Sequence, residues 1–450
     1  DGTIYNLGNT IQNSSSHRIN STLNMDLFYK YIGLTKTKKK PAPTPKQAAP
    51  KPGEKITSNK VPQQNEGNVF LDGLIGVVTS VKNIQLNYTQ NEGTLLPGYT
   101  QSLGFFGSSK PTLGFVFGVQ DDVRQEAAKN GWLTIYPEFN QNYTEVKSQQ
   151  FNGTAKVDLF PDLTIDLTAD RNYMESYSEQ YDVLDGVYNS RSPYTMGNFS
   201  ISTVLISTSF SKSDEFGSSA FQDFRDNRLV IANRLAADFY GANIPRYGDA
   251  NNPIPSDPAD PKYNFYSSNA GYPIGYGKNN QAVLIPSFLS AYSGKDENST
   301  SLSAFRDIPI PNWTVKYNGL MRYTFFKERF KRFSLQHSYR AAYTINSFRS
   351  NFEYDKNPGG QDNEGFGNFY NQTIVQNVNL MEQFNPLIRM DFEMKNSFKM
   401  LAEMKKDRAL SMSFDNNLLT EVQGLEYIIG LGYRLKDVVI TSSLADNPQG

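Results

Sequence analysis

The residues able to do chemistry are few and badly placed for catalysis. The chain holds two histidines, His17 and His337, and no cysteine. A thiolate nucleophile, a thiolate metal site and a disulfide framework are therefore excluded within it. A catalytic triad would have to assemble around one of two histidines far apart in sequence, and no G-x-S-x-G, P-loop, H-E-x-x-H or dinucleotide fingerprint occurs. No enzymatic activity is expected. Asp249, Asp257 and Asp260 form an acidic run, but prolines interrupt it and EF-hand spacing is absent, so no metal and no other cofactor is expected. The informative charges lie elsewhere: Arg389, Asp391, Glu393 and Lys395 alternate with Ile388, Met390, Phe392 and Met394. Asp391 and Glu393 resemble a general acid and base on paper. Interleaved with Arg and Lys on alternate strand positions, they instead describe a solvated wall, because unpaired charge costs several kcal/mol to bury.

Such a wall needs strands to hold it, since successive strand side chains point to opposite faces. The stretch FNGTAKVDLFPDLTIDLTA, residues 151–169, has period two on both sides of Pro161-Asp162. It predicts a hairpin with Leu163, Ile165 and Leu167 on an apolar face and Thr164 and Asp166 on a polar one. Its arms, residues 142–159 and 163–178, exceed both the usual soluble strand of about 5–6 residues and the roughly 9–11 that cross a membrane. Alternation returns from Trp313 through Phe325. It resumes after a basic connection at 327–332, where Phe333, Leu335, Tyr339, Ala341, Tyr343 and Ile345 oppose Gln336, Ser338, Arg340 and Thr344. Further strands are expected at 18–29, 81–92, 198–210, 398–414 and 427–435. Helices are expected at 121–130 and 218–240. About eleven strands in one sheet would leave long edges, which closure into a barrel removes.

The expected fold is all-β and membrane-embedded: a segment of a very large antiparallel transmembrane β-barrel with helical and loop insertions. Its lumen face would carry Arg389, Asp391, Glu393, Lys395, Thr164, Asp166 and Arg340. Its lipid face would carry Ile388, Met390, Phe392, Leu163, Ile165, Leu167 and Tyr343. Composition agrees with this: 27 Tyr and 30 Phe accompany only 38 % hydrophobic residues, with a mean hydropathy of -0.54, as strands apolar on alternate positions require. No stretch approaches the roughly 18 apolar residues of a spanning helix. With a formal net charge of -1 and no basic stripe, nucleic acid is not an expected partner.

The chain divides into a first strand with a short connection (1–34), a Lys/Pro-rich linker (35–69), and barrel strands with a Gly-rich aromatic loop and a short helix (70–179). A loop and strand follow (180–211), then a helical and Pro/Gly/Asp-rich insertion (212–307), barrel strands (308–440) and a polar end (441–450). Asp1 is not a natural start and the last residues do not close a strand, so an excised segment is expected.

Several long strings carry a resemblance: LPGYTQSLGFFG at 96–107, QAVLIPSFLSAYSGKD at 281–296, IPIPNWTVKYNG at 308–319, FSLQHSYRAAYTINSF at 333–348 and NLLTEVQGLEYIIGLGYRLKDV at 417–438. In content and order they resemble the SprA/Sov family, the outer-membrane translocon of the type IX secretion system of Bacteroidota, linked in some to gliding motility. The resemblance implies a multi-pass outer-membrane location, a barrel of roughly 36 strands, and a lumen that passes folded cargo proteins carrying a C-terminal signal. It implies three other contacts: a PorV-type outer-membrane barrel, a periplasmic plug protein and outer-membrane lipid. The insertions would be caps, gates or docking surfaces. Family members are several times longer than this chain. A different large barrel transporter, or a secreted adhesin of β-sandwiches, remain the alternatives.

Overall fold

The computed structural model describes residues 5–34, 78–102, 110–214 and 217–435. The Lys/Pro-rich linker and the polar end lie outside these residues, as do residues 103–108 of the Gly-rich aromatic loop. Among the described residues one antiparallel sheet of eleven strands dominates. Its strands are β1 (Asn9–Asn24), β2 (Val81–Tyr99), β3 (Tyr143–Phe160), β4 (Leu163–Leu184), β5 (Val187–Ser202), β6 (Asn312–Tyr317), β7 (Phe330–Ser350), β8 (Thr373–Val375), β9 (Asn377–Met394), β10 (Phe398–Ser413) and β11 (Leu418–Tyr433). Nine of them run 16 to 22 residues. Their order is β1-β2-β3-β4-β5-β7-β9-β10-β11, with β6 between β4 and β7 and β8 on β7. No described helix is long and apolar enough to cross a membrane.

The hairpin at Pro161-Asp162 is present. Val157 pairs with Ile165 and Ala155 with Leu167, and Asp162 takes φ 70 in the turn. Its arms reach further than the alternation shows. Residues 180–197, expected as loop, are the end of β4 and most of β5, joined at Asp185-Gly186. Both residues have positive φ, 51 and 75, as a two-residue hairpin turn demands. Other bounds also shift. Leu27 and Tyr29 belong to a short helix capped by the side chain of Asn24, not to a strand. Residues 93–99 extend β2. The strand expected from Trp313 to Phe325 stops at Tyr317, so that Met321 and Phe325 lie in short helical turns, with Tyr323 the extended residue between them. The strand expected at 198–210 ends at Ser202.

That last difference has a structural reason. β5 runs down between β4 and β7 as far as Ser202, and the chain then leaves the sheet. It returns at Asn312 as β6, in the same lane and still between β4 and β7. Residues 203–311 are thus inserted into the middle of one strand, not between strands. The break would orphan two backbone donors. The side chain of Asn312 accepts from the Ala341 N–H at 2.8 Å, and Ser202 Oγ accepts from the Asp170 N–H at 3.1 Å. Both side chains are buried, where an unmet donor would cost about 1–3 kcal/mol.

Within the insertion, helix α1 (Ser219–Tyr240), capped by Ser218, packs on helix α2 (Gln281–Ser293), capped by Asn280 and closed by Gly294 at φ 64. Every residue of α2 from Val283 to Tyr292 is buried. A helix apolar on all sides needs cover on all sides. One side meets α1; another meets the sheet at Phe199, Ile201, Tyr339, Tyr343, Ile345, Leu380 and Leu410.

Candidate functional site

Residues paired across antiparallel strands share a face, so the register sorts the sheet into two walls. On one, a single row reads Leu163, Tyr317, Leu335, Met390, Ala402, Ile429, and the row below it on the right reads Phe333, Phe392, Met400, Leu431. To the left the same wall continues through Ile165, Leu167, Ala155, Phe151, Tyr88 and Ile19. These residues form an apolar belt at the end of the sheet where the Pro161-Asp162 turn lies. Rings flank it: Phe333 stacks on Phe392 with centroids 5.8 Å apart, and Phe326 and Phe330 pack edge-on beside them. On β11 the belt spans Leu425 to Tyr433, all of whose apolar-wall side chains are exposed.

The opposite wall is mainly polar from β1 to β11, with scattered apolar residues such as Leu95, Val146, Met174, Met196, Met381, Leu401, Val422 and Ile428. One row reads Thr164, Lys316, Gln336, Arg389, Glu403. The next carries Asp166, Thr314 and Ser338, with Thr314 and Ser338 hydroxyls 2.9 Å apart. On the right, ion pairs of alternating sign link Arg332, Asp391, Arg389, Glu403, Lys405 and Glu426 across four strands, at 2.9, 3.7, 3.4, 3.8 and 3.3 Å. A second set joins Lys331, Glu393 and Lys399 at 3.1 and 3.5 Å. Each pair keeps at least one partner in contact with water, which limits what it contributes to stability. Their effect is to keep a wide, hydrated surface without an excess of either sign.

Thr164, Asp166, Arg340, Arg389, Asp391 and Glu393 thus stand together on the polar wall. Lys395 does not: β9 ends at Met394, and Lys395 sits in the turn, its N–H donating to the Arg329 carbonyl. Ile388, Met390, Phe392, Leu163, Ile165 and Leu167 share the apolar wall. Tyr343 is on that wall too but higher, where α2 covers it; it is 1 % exposed and is a protein-core residue, not a lipid-facing one. His337 lies on the apolar wall with Nδ1 2.7 Å from the Leu387 carbonyl.

Above the belt the apolar wall is clad by two bodies, each anchored by a buried carboxylate–guanidinium contact absent from the sequence expectations. Glu382 receives Ser209 Oγ at 2.5 Å, Tyr339 OH at 2.7 Å and Arg408 at 3.0 Å. Arg408 also donates to the Thr208 carbonyl and hydroxyl, each at 3.0 Å. Two wall residues thereby hold the first segment of the insertion. On the left, Glu179 receives Tyr177 and Tyr188 hydroxyls at 2.7 Å, the Ser190 hydroxyl, and Arg124 at 2.5 Å. Arg124 belongs to a short helix, Arg124–Lys129, shorter than the expected 121–130, and stacks over Tyr143 at 4.5 Å. The signal for Glu382 was legible in VNLMEQF: a carboxylate alternating with Val378, Leu380 and Phe384 on the apolar side.

Compared with known proteins, the chain matches no family model and no curated protein. Function is therefore argued from the two walls and their cladding. The acidic run of the insertion is committed to turns. Asp249 accepts the backbone N–H groups of Arg246 and Asn252 at 2.9 and 2.6 Å, Asp257 that of Ala259, and Asp260 that of Lys262. The Arg246 N–H, first among these donors, holds the Asp249 carboxyl below its ordinary range. Among the described residues no group of His, Asp and Glu is placed to hold a metal ion.

Proposed function

We propose that this chain is part of the wall of a large outer-membrane β-barrel whose polar face lines an aqueous, protein-conducting lumen, as in the type IX translocon its sequence resembles. The observation that carries the reading is the continuous division of faces across nine long strands, polar on one side and belted with apolar and aromatic residues on the other. A soluble sandwich buries one face of each sheet against a second sheet. Here the belt meets no second sheet among the described residues, and a belt of Leu, Ile, Met and Phe flanked by rings suits acyl chains. At about 3.4 Å per residue the strands reach about 54–75 Å, long enough to cross a bilayer and project beyond it. β1 and β11, each paired on one side only among the described residues, would pair with further strands in a closed barrel.

Both cladding bodies stand on the apolar wall above the belt. In this reading they lie outside the lumen. They act as collars or docking surfaces for a PorV-type barrel rather than as gates within the conduit, and cargo would meet the charge-alternating wall around Arg389 and Asp391. Mechanism is conduction without catalysis: the wall keeps water in the lumen and holds no strong net charge to trap cargo of either sign.

Because the chain has no cysteine, single-cysteine labelling tests both halves. In native outer membranes, Arg389→Cys and Asp166→Cys should react with a membrane-impermeant maleimide, while Ile429→Cys and Ile165→Cys should be protected until detergent is added. Equal reactivity of all four would refute the belt. If the belt holds, photo-crosslinking from position 389 to a secreted protein with a C-terminal signal separates the translocon from a nutrient transporter, which would give no such adduct.

A further inference from the structure

At the root of the insertion, beside the break between β5 and β6, lies a cavity of about 40 Å³ lined by Ser202, Thr203, Lys295, Arg306, Ile310 and Tyr343 among others. Its chemistry is one-sided. Arg306 and the solvent-exposed Lys295 are among its lining residues, no lining residue is acidic, and neither cation forms an ion pair with a described carboxylate. The neighbouring Asp307 is turned to Arg171, at 3.6 Å. Two buried donors have no partner among the described residues: Arg306 Nε and the hydroxyl of Tyr343, a residue 1 % exposed. Burial without a counter-charge pulls the Arg306 guanidinium below its ordinary value.

The Arg306 Nε and the Tyr343 hydroxyl, both shut off from water, are costly to leave unmet. One ligand chemistry answers both. We propose that this cavity binds a small inorganic oxyanion of the phosphate or sulfate class. The planar guanidinium fork matches two oxygens of such an ion, and Tyr343 donates to a third. Because Arg306 comes from the returning segment of the insertion and Tyr343 from β7, the bound ion ties the insertion to the sheet where the strand is cut.

The test is equilibrium dialysis of radiolabelled inorganic phosphate against the detergent-purified full chain in chloride-free buffer. Saturable binding of one phosphate per chain is expected, displaced by sulfate but not by chloride at the same concentration. Arg306→Met should weaken it at least tenfold. Tyr343→Phe, which removes one oxygen and preserves the packing, should weaken it several-fold. Absence of saturable binding, binding unchanged in both variants, or equal displacement by chloride would each overturn the oxyanion assignment.

Discussion

Replacing Glu382 by Ala removes one end of a buried ion pair and leaves Arg408 charged beneath the insertion. Both side chains are almost wholly excluded from solvent. Breaking such a pair from one side costs about 3–5 kcal/mol, and the Ser209 and Tyr339 hydroxyls lose their shared acceptor as well. The damage should be local, because Arg408 holds Thr208 and Leu205 at the start of the insertion, while the belt lies further down the strands. Opening of that segment should rise by roughly two to three and a half orders of magnitude. Limited proteolysis at residues 203–211 in detergent, read against the rate of global unfolding, measures it. The double change Glu382→Leu with Arg408→Met removes both charges and should cost less than Glu382→Ala alone, about 1–3 kcal/mol for the lost bonds to Thr208. An effect of Glu382→Ala below about 1 kcal/mol, or a double mutant as costly as the sum of its parts, would refute the description of the pair as the anchor.

Asn312→Leu should cost about 1–3 kcal/mol by leaving the Ala341 N–H unmet, seen as faster amide exchange at Ala341 with Ser200 and Thr344 unchanged. Gly186→Val should cost about 1–2 kcal/mol from the positive φ alone, since the space around a Cβ there is ordinary, and chemical denaturation reads it. The turn at Asp249 has a depressed carboxyl pKa, so its contribution is complete above the unfolded value of about 3.9. It is lost as pH falls through the lower folded value. Exchange at the Asn252 N–H should be unprotected only below that range, and Asp249→Asn should reproduce the loss at neutral pH. Placing Arg at Leu431, on the belt, should reduce membrane assembly by up to about 2–4 kcal/mol, whereas Thr164→Lys on the polar wall should be tolerated; heat-modifiable mobility on gels reports assembly.

Period two was the legible part of the fold, and it was legible where each wall meets a uniform environment. Leu163, Ile165 and Leu167 against Thr164 and Asp166 gave both strand and faces, as did Ile388 to Glu393. It failed where the apolar wall meets protein instead. Around Glu179, β4 carries charge on its apolar side because Tyr177, Tyr188, Ser190 and Arg124 satisfy that carboxylate, so alternation vanishes although the strand continues. The Asp185-Gly186 pair was the missed turn signal. Tyr343 shows the converse failure: its alternation was right, but parity says only which wall a residue is on, not what covers that wall at its height. Lys395 fell one residue past the end of its strand, the usual fate of a period extrapolated to a turn.

The cut strand also bears on how the molecule can change over time. The two ends of the insertion meet directly, the Ile310 N–H just before its end donating to the Ser202 carbonyl just before its start at 3.1 Å. Whatever lies between starts and finishes at one point. The closure entropy of such a loop grows only with the logarithm of its length, about 0.6 kcal/mol for each doubling. The lane is held by β4 and β7, whose backbones pair with both its halves. The arrangement works as a socket: the inserted body can be enlarged, trimmed or exchanged while the register of the sheet stays the same.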